Sequence, residues 1–146
     1  MVALDGSPSS EFALELAGSL SLATGASVEL VSVVPIHVYY SNYVPDVNTV
    51  TEAEEKAVHD RLEKDMEKLR SRGVRDVRFT VLSGLVVEAL LDHVQAHPPE
   101  LLIMGSRGQS TTRRLLLGSV SDALVHYANC PVLVAKLPST PAPTKG

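Results

Sequence analysis

Five short apolar runs punctuate this chain, and between them lie longer segments whose apolar residues recur every third or fourth position. A period near 3.6 marks a helix packed on one side, and a continuous apolar run marks a strand covered on both faces. Residues 1–5 form the first run. Ser27–Pro35, rich in valine, is the second, and Leu101–Met104 and Pro131–Ala135 are of the same kind. Val77, Phe79 and Val81 alternate instead with Arg78 and Thr80, as an edge strand with one wetter face does. The order β-α-β-α-β-α-β-α-β predicts an α/β fold, a single open five-stranded parallel sheet with helices on both faces.

The helix ends are marked by their own chemistry. Ser7 is placed to cap a helix opened by Pro8, where the missing N–H costs nothing. Phe12, Ala13, Leu16, Ala17 and Leu20 supply its apolar stripe, and Gly25 stops it. Thr51 and Glu54 make a capping box for a second helix that runs through Val58, Leu62, Met66 and Leu69 to Gly73. Val86–Ala96, closed by Pro98 and Pro99, and Val120–Ala128 are the remaining helices. Ile36–Val50 holds three tyrosines and Pro45 without periodicity, and reads as a long packed loop. The domain is expected to span 1–137, with 138–146, which has three prolines and no core residue, as a disordered tail.

Composition removes several functional classes. At 146 residues the chain fits one domain with one sizeable core. Its net charge of -4 repels polyanions, and with aromatics at 4% and no Trp it lacks stacking platforms, so nucleic acid is not expected as a partner. No apolar stretch reaches membrane-spanning length, and the opening residues lack the pattern of a signal peptide. The single cysteine, Cys130, excludes an intrachain disulfide and reads as a buried structural thiol. A cytoplasmic location follows as the expectation. The five histidines show no metal-ligand spacing and are expected mostly at the surface.

The chemistry is concentrated in Gly105-Ser106-Arg107-Gly108, then nine residues, then Gly118-Ser119-Val120-Ser121. Two glycines follow a buried strand, and the third precedes a helix whose N-cap would be Ser119. A strand, a tight turn and a helix N-terminus make an anion site, because glycine lets backbone approach phosphate oxygens and unpaired N–H groups bind them. Ser119 and Ser121 add hydroxyls. No Gly-x-x-x-x-Gly-Lys-Ser/Thr loop is present, and the first turn, Asp5-Gly6-Ser7, lacks the three-glycine dinucleotide fingerprint. Arg113 and Arg114 read as a solvated loop pair.

Gly105-x2-Gly108-x9-Gly118-Ser119 resembles the nucleotide motif of the universal stress protein family, in its ATP-binding branch. Val2-Ala3-Leu4-Asp5-Gly6-Ser7 and Asn129-Cys130-Pro131-Val132-Leu133-Val134 are similar to that family's first and last strands, so the likeness covers almost the whole chain. The resemblance implies a Rossmann-like sheet of order 3-2-1-4-5, like that of the adenine nucleotide alpha hydrolases, and a homodimer. That order places Asp5 and Gly105 on opposite lips of the topological switch point. It implies adenine against Ala3, Val33 and Met104, which otherwise read as plain core residues. It further implies ribose and phosphates on Gly105, Ser106, Arg107, Gly108, Gln109, Gly118, Ser119, Val120 and Ser121. Asp5 would touch the nucleotide or order a Mg ion through water. Family members often carry lysine or histidine in the loop where this chain has Arg107, Gln109, Arg113 and Arg114.

Three functions follow as alternatives: a regulatory module that holds ATP (or AMP or ADP), a slow ATPase or phosphotransferase, and a dimeric scaffold without nucleotide. The intact glycines weigh against the scaffold. The missing P-loop lysine, and the lack of a base within the motif, weigh against the enzyme. Pro131–Ala135, an apolar edge with few charges, is the expected dimer contact.

Overall fold

A computed structural model describes residues 1–41, 44–48, 51–108 and 117–138, by backbone alone for 37–41 and 44–48. The elements begin with β1 (Val2–Ala3), α1 (Pro8–Thr24), β2 (Val28–Pro35), β3 (His37–Ser41), β4 (Val44–Asn48) and α2 (Glu52–Ser71). They continue with β5 (Val77–Gly84), α3 (Val86–Ala96), β6 (Leu102–Gly105), α4 (Ser119–Tyr127) and β7 (Val132–Ala135). Five parallel strands form one sheet in the order β5-β2-β1-β6-β7, which is 3-2-1-4-5 along the chain. The register sets Ala3 between Val31 and Met104, and Gly105 beside Ala135.

Local chemistry sets the helix ends where the sequence places them. Ser7 Oγ accepts from the Ser10 amide at 3.2 Å with Pro8 as the first helical residue, and Gly25 closes α1 in the left-handed region at φ 76°. At α2 the Glu54 amide donates to Thr51 Oγ1 at 3.2 Å while Glu54 Oε2 accepts from the Thr51 amide at 2.9 Å. Successive strand residues face opposite sides, so Leu30 joins Leu14, Leu62 and Leu69 under α1 and α2. Val31 joins Leu90, Val94, Met104 and Leu124 under α3 and α4.

The 36–50 segment, read from sequence as a loop, contains an antiparallel ribbon in which His37 pairs with Asn48 and Ser41 with Val44. A ribbon outside the main sheet is not obliged to bury one face, so it leaves no alternation to read. Residues 139–146 of the expected tail lie outside the described residues.

Among the described histidines, His59, His97 and His126 are exposed as expected, and His93 is the exception. Residue 93 lies on the same side of α3 as buried Leu90 and Val94, and its side chain is only 10% exposed. Its Nε2 lies 3.0 Å from Glu29 Oε1, which also accepts from Thr80 Oγ1 at 2.9 Å. Arg78 reaches the other carboxylate oxygen at 3.3 Å, and His97 stacks on His93 with ring centroids 4.7 Å apart. Cys130 is half-buried rather than buried, and burial pushes its thiol pKa up.

Burial pushes the Glu29 carboxyl up, but the hydrogen bonds from Thr80 and His93 and the charges of His93 and Arg78 outweigh it. Its pKa lies below the ordinary value. A carboxylate held lower in the folded chain adds stability above its unfolded pKa, about 4.3 for glutamate. That contribution disappears as pH falls through the folded pKa. Urea unfolding between neutral pH and about pH 3.5 is expected to show wild type losing more stability than Glu29→Gln. Equal losses would remove Glu29 from the acid response.

Candidate functional site

β1 and β6 are neighbours, yet β1 leads through α1 to β2 on one side and β6 leads through α4 to β7 on the other. Their carboxyl ends border the switch point, where open α/β sheets take ligands. A cleft of about 380 Å³ opens there. Ala3, Val31, Val33 and Met104 give it an apolar wall. Asp5, Arg107 and Gly108 stand at one rim, and Gly118 with the start of α4 at another.

The rim is built by backbone docking. Ser9 Oγ donates to the Arg107 carbonyl at 2.5 Å and Ser7 Oγ donates to it at 3.1 Å, while the Arg107 amide reaches Ser9 Oγ at 3.3 Å. A Cβ on Gly105 would collide with Ser9 Oγ and would meet the Ser10 amide nitrogen at 2.7 Å. Gly105 is therefore a packing glycine that lets β6 pass the first turn of α1. At Gly108 a Cβ would meet Asp5 Oδ2 at 2.9 Å, a side-chain atom facing the cleft rim. Gly6, at φ 78°, turns the chain so that the Ser7 amide donates to Asp5 Oδ1 at 2.9 Å.

The start of α4 differs from expectation by one residue. Gly118, with φ -72° and ψ 161°, is the N-cap, and Ser119 is already helical. The Gly118 amide donates to the Ser106 carbonyl at 2.8 Å, which fixes where the helix begins. Its first intrahelical bond runs from Asp122 to the Gly118 carbonyl, so the amides of Ser119, Val120 and Ser121 have no partner within the helix. They carry the positive end of the helix dipole beside the cleft.

Ser121 does not offer a hydroxyl to the cleft: its Oγ donates to the Gly105 carbonyl at 2.8 Å and its side chain is buried. Ser106 is likewise internal, with its amide on the Ala135 carbonyl at 2.9 Å, and is absent from the wall. Ala3, Asp5, Val33, Met104, Gly105, Arg107, Gly108 and Gly118 to Ser121 do come together. Gln109, Arg113 and Arg114 lie outside the described residues.

Sequence reasoning missed Arg61. It projects from α2 to the cleft, where Nη2 donates to Ser32 Oγ at 2.7 Å and Nη1 reaches the Asp5 carbonyl at 3.4 Å. The signal was present: Arg61 and Asp65 are the charged positions on the stripe that otherwise reads Val58, Leu62, Met66, Leu69. Burial raises the Asp65 pKa, and the Arg61 and Lys68 charges oppose that shift.

Sheet order, cleft position and the glycine-bordered helix start define a doubly wound open α/β domain with its ligand crevice at the switch point. The chain belongs to the universal stress protein family, whose sequence model matches residues 1–136. A Staphylococcus aureus (strain USA300) relative bearing the universal stress protein name is 28% identical, over 97% of this chain and 86% of its own. The universal stress protein UspA from Lactobacillus plantarum superposes with TM-score 0.79 at 18% identity, covering 92% of this chain and 95% of that one. Two further structures share the fold with bound nucleotides. A universal stress protein in complex with cAMP has TM-score 0.69 and 23% identity, covering 92% of this chain and 93% of its own. One from Archaeoglobus fulgidus in complex with dAMP has TM-score 0.68 and 18% identity, covering 92% and 94%.

The two loop glycines are expected to respond differently to substitution. Gly105→Ala drives a methyl into α1 backbone and should cost about 1–3 kcal/mol in urea unfolding. Gly108→Ala meets one oxygen of the Asp5 side chain and no backbone, and should cost less than Gly105→Ala, about 1 kcal/mol or under. The reverse order would contradict the packing assigned to Gly105.

Proposed function

We propose that this protein binds an adenine nucleotide, ATP (or AMP or ADP), in the switch-point cleft and acts as a nucleotide-dependent regulatory module. The observation that carries the reading is the run of amides at Ser119, Val120 and Ser121, without helical partners, at the rim of a cleft whose other wall is apolar. A nucleotide has matching ends, phosphate for the amides and a flat ring for Ala3, Val33 and Met104. The cAMP and dAMP complexes of two structural neighbours support the same ligand class. Asp5 is the one carboxylate on the wall among the described residues. With phosphate oxygens and water it suits a magnesium ion, which takes one or two carboxylates in such sites.

The reading is of ATP held rather than consumed. Among the described residues the wall has no lysine or histidine, and its cations are Arg61 and Arg107. Hydrolysis needs a positioned water and added charge stabilisation in the transition state, and Asp5 alone would have to supply the former. Self-association through β7 belongs to the same proposal. β7 ends the sheet, its Val132, Leu133 and Val134 are half-buried, and exposed Tyr127 and Leu137 flank it in sequence.

Nucleotide released by denaturing the purified protein should be adenine nucleotide, and ATP added in excess should remain intact over many minutes. Gly118→Val should weaken ATP binding by more than about tenfold while circular dichroism stays unchanged. A turnover of about 1 per second or faster, abolished by Asp5→Ala with affinity preserved, would make the protein an enzyme. Replacing Val132 and Val134 with lysine should convert a sedimenting dimer into monomers; a wild type monomeric at micromolar concentration would contradict the β7 contact.

A further inference from the structure

Ser9 carries a hydroxyl that its own helix does not need. It stands second in α1, after Pro8, and the cap of that helix is made by Ser7. Ser9 is buried, and its Oγ donates to the Arg107 carbonyl at 2.5 Å and accepts from the Arg107 amide at 3.3 Å. Both backbone groups of one loop residue thus rest on a single side chain. Ser7 Oγ adds a longer bond to the same carbonyl, at 3.1 Å. Gly105 leaves the room for this clamp, since a Cβ there would collide with Ser9 Oγ. Ser9 itself is not part of the cleft wall, whereas Arg107 and Gly108 are.

The clamp sets the direction of the next amide. None of the described peptide bonds is cis, and in a trans peptide the C=O and N–H point to opposite sides. With the Arg107 carbonyl turned into the first turn of α1, the Gly108 N–H is turned away from α1. No acceptor among the described residues meets that amide. A peptide that precedes glycine flips readily when nothing holds it, because glycine takes either sign of φ. We propose that Ser9 is a positioning residue for phosphate: acting through Arg107, it holds the Gly108 N–H as a donor to the same anionic group as the amides of Ser119, Val120 and Ser121. Without the clamp the peptide can turn over, and a carbonyl oxygen then stands where the N–H was and repels the anion. The proposal deepens the nucleotide reading above and rests on it.

Calorimetric titration of wild type, Ser9→Ala and Ser21→Ala with ATP and with adenosine tests it. Ser9→Ala should weaken ATP roughly threefold to thirtyfold and leave adenosine, which has no phosphate, within about twofold of wild type. Ser21→Ala removes another buried hydroxyl of α1, one that donates to the Ala26 carbonyl at 2.6 Å, and should change neither affinity. Equal weakening of both ligands by Ser9→Ala, or a matching loss of ATP affinity in Ser21→Ala, would overturn the positioning role in favour of a structural one. Unchanged ATP affinity in Ser9→Ala would overturn it outright. Should Ser9→Ala not fold, the wild type decides by NMR: the Gly108 amide must shift with ATP and not with adenosine, and an amide that ignores ATP would sink the proposal. If wild type binds neither ligand, the nucleotide reading itself has failed and takes this proposal with it, an outcome visible before any variant is made.

Discussion

The backbone at Gly105 passes so close to the first turn of α1 that even a methyl group there would meet the Ser10 amide nitrogen at 2.7 Å. The rest of the cleft is assembled around that approach. It brings the Arg107 carbonyl under the hydroxyls of Ser7 and Ser9, the Gly105 carbonyl within reach of Ser121 Oγ, and the Ser106 carbonyl to the Gly118 amide. Three segments, the first far from the other two in sequence, are thus held by hydrogen bonds that are costly to leave unmade where they are buried. The serines spend their hydroxyls on this framework, which leaves the amides of the α4 start to face the cleft.

The same arrangement separates support from recognition. The residues that lock β6 to α1 and α4 are small, and their hydrogen bonds fix backbone positions. Groups able to meet a ligand come from four different elements or turns: Asp5 after β1, Arg61 on α2, Arg107 after β6 and the amides that open α4. Near the amino end of β2, away from the cleft, Glu29 and His93 form a second buried polar cluster whose hydrogen bonds are internal. Glu29 is the second residue of β2, the strand that ends beside the cleft at Pro35, so the cluster anchors the far end of a cleft-lining strand.

Most of the fold was legible because periodicity and caps are local properties. Ser7, Pro8, Gly25, Thr51 and Glu54 act where their chemistry says they should, and β5, the one strand with alternating character, is an edge strand. Gly105, Gly108 and Gly118 all line the cleft, but their spacing did not distinguish why each glycine is there. Gly105 is small for the sake of α1, a neighbour nearly a hundred residues away, which no local pattern reports. Ser121 looked like a ligand hydroxyl and is a structural one for the same reason. Arg61 and His93 were missed because a polar residue on a helix is ordinarily read as solvated. Only the phase of α2 and α3 relative to their buried leucines carries them inward.

The central claim is that a nucleotide's phosphates rest on the first turn of α4 while its base lies against the β1 and β2 wall. Titrating ATP into isotope-labelled protein and following backbone amides by NMR tests this directly. The account predicts saturable shifts that are largest at Gly108, Ser119, Val120 and Ser121, with smaller ones at Ala3 and Val33. Shifts absent from the α4 start, or concentrated at the opposite cavity around Glu29, Arg78 and His97, would contradict it.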